Sequence, residues 1–250
     1  CNLDYSLLDK NYCYSFILQH PKNRIVCPVN QPRLYLIAVY SIRHEEDMIT
    51  IVEIDKTNKN IQELLHNTRR GVWIPRVFTA DNYRDIEDDY KSRTKHIYSD
   101  MGRVFKSANQ RAKYINPVYQ DVKAMRGNHP KLQFQYLHLR KSGMVKEYLK
   151  YFRENVREFS HFRDQIHKFT LTLFRNYINC FIHKEKPLIE YPPPYKNHMY
   201  FLHQEYLNKL REEKRCVDYS FVIDYTNNLE PNKLMYSLNY YIRQYNSIKC

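Results

Sequence analysis

Eleven apolar residues between Val145 and Phe181 recur every three or four positions: Val145, Leu149, Phe152, Val156, Phe159, Phe162, Ile166, Phe169, Leu173, Tyr177 and Phe181. The spacing follows the 3.6-residue turn of an α-helix, so one side of this segment must be buried along its length. It predicts a long amphipathic helical stretch, with one break possible near Arg153–Val156. Lys150 and Glu154 lie one turn apart on the polar side and are placed to support it. Pro192-Pro193-Pro194 predicts a helix stop and a stiff connector. Met199, Leu202, Tyr206 and Leu210 predict another helix. Leu234, Leu238, Tyr241 and Tyr245 predict a last one, with Pro231 near its start. Residues 128–250 therefore read as an all-helical domain.

Residues 1–127 have a different texture. Tyr14–Gln19, Leu34–Ile42 and Met48–Ile54 are apolar or alternating runs rich in Ile, Val and Tyr, and predict strands. Asn60-Ile61-Gln62-Glu63 has the form of a capping box and opens a short helix through His66. Asp81–Thr94 is polar except for Tyr83, Ile86 and Tyr90, which predicts an exposed helix. Strands are expected at Arg103–Lys106 and Arg111–Ile115, and Pro117 suits the first turn of a helix running to Met125. The chain reads as α+β, a mixed N-terminal half followed by a helical one.

Charge narrows the partners. Lys and Arg total 40 against 27 Asp and Glu, a formal excess of +13. A basic chain favours anionic partners, nucleic acid above all, although a biased codon usage rich in Lys, Asn, Tyr and Ile accounts for it equally well. The excess is dense between Lys91 and Arg126, where nine Lys or Arg meet only Asp100 and Asp121, with Tyr98, Tyr114 and Tyr119 interleaved. Basic strips with aromatics suit single-stranded RNA, and the plain alternative is a solvated face. Only 4 glycines occur, with no phosphate-binding glycine loop, so phosphates would have to meet side chains. The 6 cysteines form no C-x-x-C pair, which reads as reduced thiols in a cytosolic setting and not as a disulfide framework or zinc site. The longest apolar run, Leu34–Ile42, is too short to span a bilayer. His161 and His167, and His198 and His203, lack the spacing of a helical metal pair and read as structural or surface residues.

Three segments carry a resemblance. Ser15-Phe16-Ile17-Leu18-Gln19-His20-Pro21-Lys22-Asn23-Arg24-Ile25-Val26 joins two apolar strands through Pro-x-Asn-Arg-Ile-Val. Met101-Gly102-Arg103-Val104-Phe105 and Arg111-Ala112-Lys113-Tyr114-Ile115-Asn116-Pro117-Val118-Tyr119 follow. Together they resemble motifs III, IV and V of the bacteriophage-type ATP-dependent RNA ligases, which are covalent nucleotidyltransferases. Arg126–Gln133, Tyr136–Gly143 and Phe162–His167 are similar to the helical C-terminal part of RNA-ligase-like proteins of large DNA viruses. The resemblance runs over most of residues 14–245.

The resemblance implies a partial nucleotidyltransferase domain of antiparallel sheets and helices over 1–127, with the helical domain over 128–250. It implies that Phe16 stacks on adenine and that Arg111 and Lys113 face the triphosphate, with ATP and magnesium as the intact family's cofactors. RNA is the implied partner, met by Arg24, Lys91, Arg93, Lys95, Arg103 and Lys106. On its own, Phe16 reads first as a core residue, and Arg111 and Lys113 first as solvated edge charges; only the flanking match brings the phosphate reading of the two cations level. Ile17 and Met101 stand where the family has Glu, and Ile115 where it has a second base. Met101 offers magnesium only a thioether, so no metal ligand is assigned. The nucleophile motif Lys-x-Asp-Gly does not occur before the first segment, and the chain opens on Cys1, so it reads as a truncated or decayed member with no assigned catalytic residue. The intact family joins RNA ends through lysyl-AMP. The other reading is a non-catalytic RNA-binding or virion interaction protein on that scaffold. Either places the chain in a cytoplasm, or in the host cytoplasm or virion if viral.

Overall fold

Three aromatics at alternate positions, Tyr12, Tyr14 and Phe16, give the first strand one face to bury. A computed structural model describes residues 3–45, 48–68, 71–79, 82–92, 98–107 and 110–248. It divides into two units, Cys1–Ala124 and Met125–Cys250. The first is a mixed unit of antiparallel sheets and short helices; the second is largely helical.

In the first unit, β1 (Tyr12–Gln19), β2 (Arg33–Glu45) and β3 (Met48–Glu53) form an antiparallel sheet in that order. A short β4 (Val72–Trp73) pairs parallel to β2. The register shifts between Ser15 and Phe16, from Ser15 opposite Ala38 to Phe16 opposite Leu36. The extra residue on β2 is Ile37, and this bulge lets both Leu36 and Val39 turn to the same core. Leu36, Val39, Ile61 and Val72 form that core, with Tyr12, Tyr14 and Phe16 packed against it. Ile61 comes from α1 (Lys59–Asn67). Each such aliphatic side chain stabilises the fold by roughly 1.5–3 kcal/mol. The expected start of α1 at Asn60 moves two residues earlier. Asn58 is the cap, its side chain accepting the Asn60 N–H at 3.0 Å, while Gln62 donates to the Lys56 carbonyl at 2.6 Å.

The rest of this unit is α2 (Tyr83–Ser92), the antiparallel hairpin of β5 (Gly102–Lys106) and β6 (Arg111–Ile115), and α3 (Pro117–Arg126). Tyr83 of α2 packs its ring 5.6 Å from Phe105 and from Tyr114, covering one face of the hairpin. Gly102 has φ of 134°, and a Cβ there would lie 2.0 Å from the Tyr114 carbonyl oxygen, so no other residue fits without moving the strands. Asn116 is buried and starts α3: it accepts the Val118 N–H at 3.0 Å and donates to the Asp100 carbonyl at 2.8 Å. Pro117 follows where its missing N–H costs nothing.

In the second unit, α4 (Leu132–Lys141), α5 (Val145–Tyr151) and α6 (Val156–Tyr177) come first. The predicted long stretch breaks at Phe152, followed by a 3₁₀ turn over Arg153–Asn155. Asn155 donates to the Tyr148 hydroxyl at 2.7 Å, and the Tyr148 ring stacks on Phe152 and Phe159 at 4.6 and 5.2 Å. The break thus folds the periodic Phe152 and Phe159 onto one ring. Lys150 pairs with Glu147 and not with the expected Glu154. α6 continues into a π turn over Ile178–Ile182. α7 (Pro193–Glu205) also ends in a π turn, over Tyr206–Leu210, and α8 (Tyr219–Asn228), α9 (Pro231–Leu238) and α10 (Tyr240–Ile248) complete the unit.

Two helix expectations need correction. Pro193 and Pro194 do not connect elements but open α7, because a first-turn proline lacks only an N–H that needs no partner. The last predicted helix is two, broken at Asn239, whose side chain donates to Gln133 at 2.6 Å. α6 is the centre of this unit and packs against α4, α7, α8 and α9. It buries Phe159, Ile166, Phe169, Leu173 and Tyr177. Among the described residues no helix is long and apolar enough to cross a membrane.

Candidate functional site

The β5–β6 hairpin holds the basic residues singled out in the sequence. Its register pairs Lys106 with Arg111 and Val104 with Lys113, so these four side chains share one face. Val104 is 73% exposed, which shows that the face is open to solvent. One carboxylate serves two of its three cations. Glu53 of β3 pairs with Lys106 and, at 3.4 Å, with Arg111, which also bonds the Tyr40 hydroxyl of β2. Lys106 nevertheless titrates below an ordinary lysine, first because of its burial and then because of Arg111. Lys113 meets no carboxylate among the described residues.

Phe16 is elsewhere. It packs with Tyr14, ring centroids 6.2 Å apart, on the face of the sheet that holds Leu36 and Val39. Tyr40 follows Val39 in sequence and is the cross-strand partner of Glu53, so alternation turns both to the opposite face. The three residues expected around ATP are therefore divided: Arg111 reaches one side of the sheet and Phe16 lies on the other. Lys113 shares Arg111's face of the hairpin.

The other expected RNA contacts scatter. Arg103 is largely withdrawn: it pairs with both oxygens of Asp100 at 2.9 and 2.8 Å and lies 4.3 Å over the Phe78 ring. Arg24 folds back onto its own loop and donates from Nε to the Val26 carbonyl at 3.1 Å. Lys91 lies in the last turn of α2. Arg93 and Lys95 lie outside the described residues. Magnesium does not fit either. Asp100 is bound to Arg103 and to the Gly102 N–H, Met101 offers only sulfur, and no group of three or more His, Cys, Asp or Glu that could hold a metal occurs among the described residues.

A second site has no counterpart in the sequence reading. Between α7, α8 and α9 lies a groove of about 830 Å³, within the range of ligand pockets. Its floor is His198, one of the few buried polar residues. Nδ1 lies 2.8 Å from the Tyr225 hydroxyl and Nε2 lies 2.8 Å from Ser237 Oγ. Ser237 donates its own proton to the Lys233 carbonyl at 3.2 Å. One assignment then satisfies every group: Tyr225 O–H donates to Nδ1, and Nε2–H donates to Ser237. Burial pushes the His198 pKa down to about 4 and that of Tyr225 up to about 12, so the chain of bonds is neutral at pH 7. A Ser–His pair could serve a nucleophile, but here the serine proton is committed to a carbonyl, and the arrangement acts as a rigid, uncharged floor. A smaller hollow of about 340 Å³, lined by Pro193, Pro194 and Tyr240, adjoins it at His198 and Ser237.

Periodicity could not find this groove, because its walls come from three helices that meet only in the folded chain. The one local signal was His198, which lies beside Met199 and one turn before Leu202, on the buried side of α7. Compared with protein-family models and with curated proteins, the chain matches none.

Proposed function

We propose that this chain binds single-stranded RNA and performs no ligation chemistry of its own. The observation that carries the reading is the hairpin face where, among the described residues, Lys106, Arg111 and Lys113 meet one carboxylate, that of Glu53. Such a face attracts phosphates, and each neutralised phosphate releases counterions. Exposed rings add to this. Tyr200, Phe201, Tyr236, Tyr241 and Tyr245 are each at least half exposed, and rings of this kind stack on unpaired bases, which duplexes keep inside. The separation of Phe16 from Arg111 favours the non-catalytic form of the ligase-like reading over the catalytic one.

The test is fluorescence anisotropy with a labelled single-stranded RNA, beside incubation with labelled ATP and magnesium. Lys113→Ala should weaken binding roughly tenfold, to a similar extent for every sequence, and lower the salt slope by about 0.7, one phosphate's share on a single strand. No AMP should become attached to the protein. Wild-type protein that ignores RNA at low salt overturns the reading, and AMP bound to a lysine returns it to the ligases.

A further inference from the structure

The groove between α7, α8 and α9 plays no part in the phosphate contacts above, yet its lining is chemically specific. Phe201, Phe221 and Tyr236 supply flat apolar walls, and Phe201 and Tyr236 are 56% and 62% exposed. The guanidinium of Arg243 lies 3.6 Å from the Tyr236 ring centroid, which restrains that ring. Arg243, which is not part of the lining, takes one face of Tyr236, so stacking in the groove falls to the other face of that ring and to Phe201.

Between the rings stand polar side chains. The carboxamides of Asn197, Asn228 and Asn232 line the groove and make no side-chain hydrogen bond among the described residues. A carboxamide presents a donor and an acceptor side by side, the pattern that matches a base edge. Glu205 and Asp224 also line it, again without a partner among the described residues, in a chain with 40 Lys and Arg. A carboxylate only accepts hydrogen bonds, so it selects ligands that donate. The neutral floor of His198, Ser237 and Tyr225 spends its own hydrogen bonds internally and adds no charge.

We propose that this groove holds an unpaired RNA base bearing an exocyclic amino group, preferring adenine, cytosine or guanine over uracil. The proposal rests on the RNA-binding reading and adds base preference to it. Stacking on Phe201 or Tyr236 supplies sequence-tolerant affinity. The amino group donates to Glu205 or Asp224, as cytosine N4 donates to carboxylates and adenine N6 to carboxamides; uracil has no amino group, and its one base-edge donor, N3–H, lies between two carbonyl oxygens that a carboxylate repels. Lys233 on the same lining offers a cation to the adjoining phosphate. A basic peptide is the competing occupant, since acids and rings also suit a cation. Lys233 opposes it, as does the surrounding unit, with its 21 Lys and Arg against 12 Asp and Glu.

The experiment measures binding of the full chain to labelled oligo(A), oligo(C) and oligo(U) of one length. Oligo(A) and oligo(C) should bind at least fivefold more tightly than oligo(U). Phe201→Ala or Tyr236→Ala should weaken oligo(A) binding fivefold or more, the low end of base–ring stacking. Glu205→Gln with Asp224→Asn should shrink the preference over oligo(U), while Lys113→Ala should weaken all three RNAs alike. Circular dichroism establishes that each variant is folded. Equal binding of the three RNAs, unchanged by Phe201→Ala, overturns the base site and leaves the RNA-binding reading standing. If no RNA binds while a Lys/Arg-rich peptide does, both readings fall.

Discussion

Burial without a charged partner sets the behaviour of His198. Its two hydrogen bonds go to hydroxyls, which satisfy a neutral imidazole but do little for a cation, so its pKa falls from 6.5 to about 4. The consequence for stability has a definite sign. Above pH 6.5 the ring is neutral in both the folded and the unfolded chain, and this contribution is constant. Between pH 6.5 and 4 the unfolded chain takes up a proton that the folded chain refuses, so stability falls with pH. The whole loss amounts to about 3 kcal/mol once both states are protonated. His203, whose pKa is also lowered by burial, and the carboxylates add their own dependence. Subtracting a variant removes those shared parts. Urea unfolding of wild type and His198→Gln at about pH 7 and about pH 4.5 should show a smaller drop in the variant. Equal drops would mean that His198 is not held neutral.

At the scale of elements, strands and long amphipathic helices were legible because their signals are local. β6 occupies its expected residues Arg111–Ile115, and the break before α6 falls in the expected region. What was not legible depends on partners distant in sequence. The division of the last helix at Asn239 needs Gln133, over a hundred residues away. The separation of Phe16 from Arg111 depends on a contact between distant segments: Arg111 meets Tyr40, 71 residues away, on the face opposite the one Phe16 shares with Leu36 and Val39. Helix ends are also decided by this chain's scarcity of glycine. Lys184 and Lys214 have φ of 53° and 55°, the left-handed region where glycine is normally found, and they follow the two π turns. After the second turn, Arg215 N–H closes on the Leu210 carbonyl at 2.8 Å, which requires that conformation. An L-residue there costs about 1–2 kcal/mol, partly offset by the lysine charge at a helix C-terminus and by the freedom glycine would lose on folding. Lys214→Gly should therefore raise stability by up to about 1 kcal/mol, seen as a rise in Tm of a few degrees. A lower Tm would show that the lysine's charge outweighs its backbone strain.

Across the whole molecule the positive charge is distributed differently from its local density. The strip from Lys91 to Arg126 stands out along the sequence, yet Cys1–Ala124 holds 19 Lys and Arg against 15 Asp and Glu, while Met125–Cys250 holds 21 against 12. The helical unit therefore has the larger excess, and the first unit spends part of its charge internally, as Arg103 does on Asp100 and Arg111 on Glu53. RNA affinity should accordingly reflect the chain's general excess and not one ion pair. Single-stranded nucleic acid gives a slope of about −0.7 in log K against log salt for each phosphate neutralised. With roughly five phosphates engaged, the slope is about −3.5, and affinity should fall on the order of a hundredfold between about 50 and 200 mM salt. A titration across that range measures the slope directly. The proposed hairpin contact predicts that Lys113→Ala removes about one phosphate's share and leaves most of the slope in place. An affinity indifferent to salt would mean that phosphates are not what this basic surface meets.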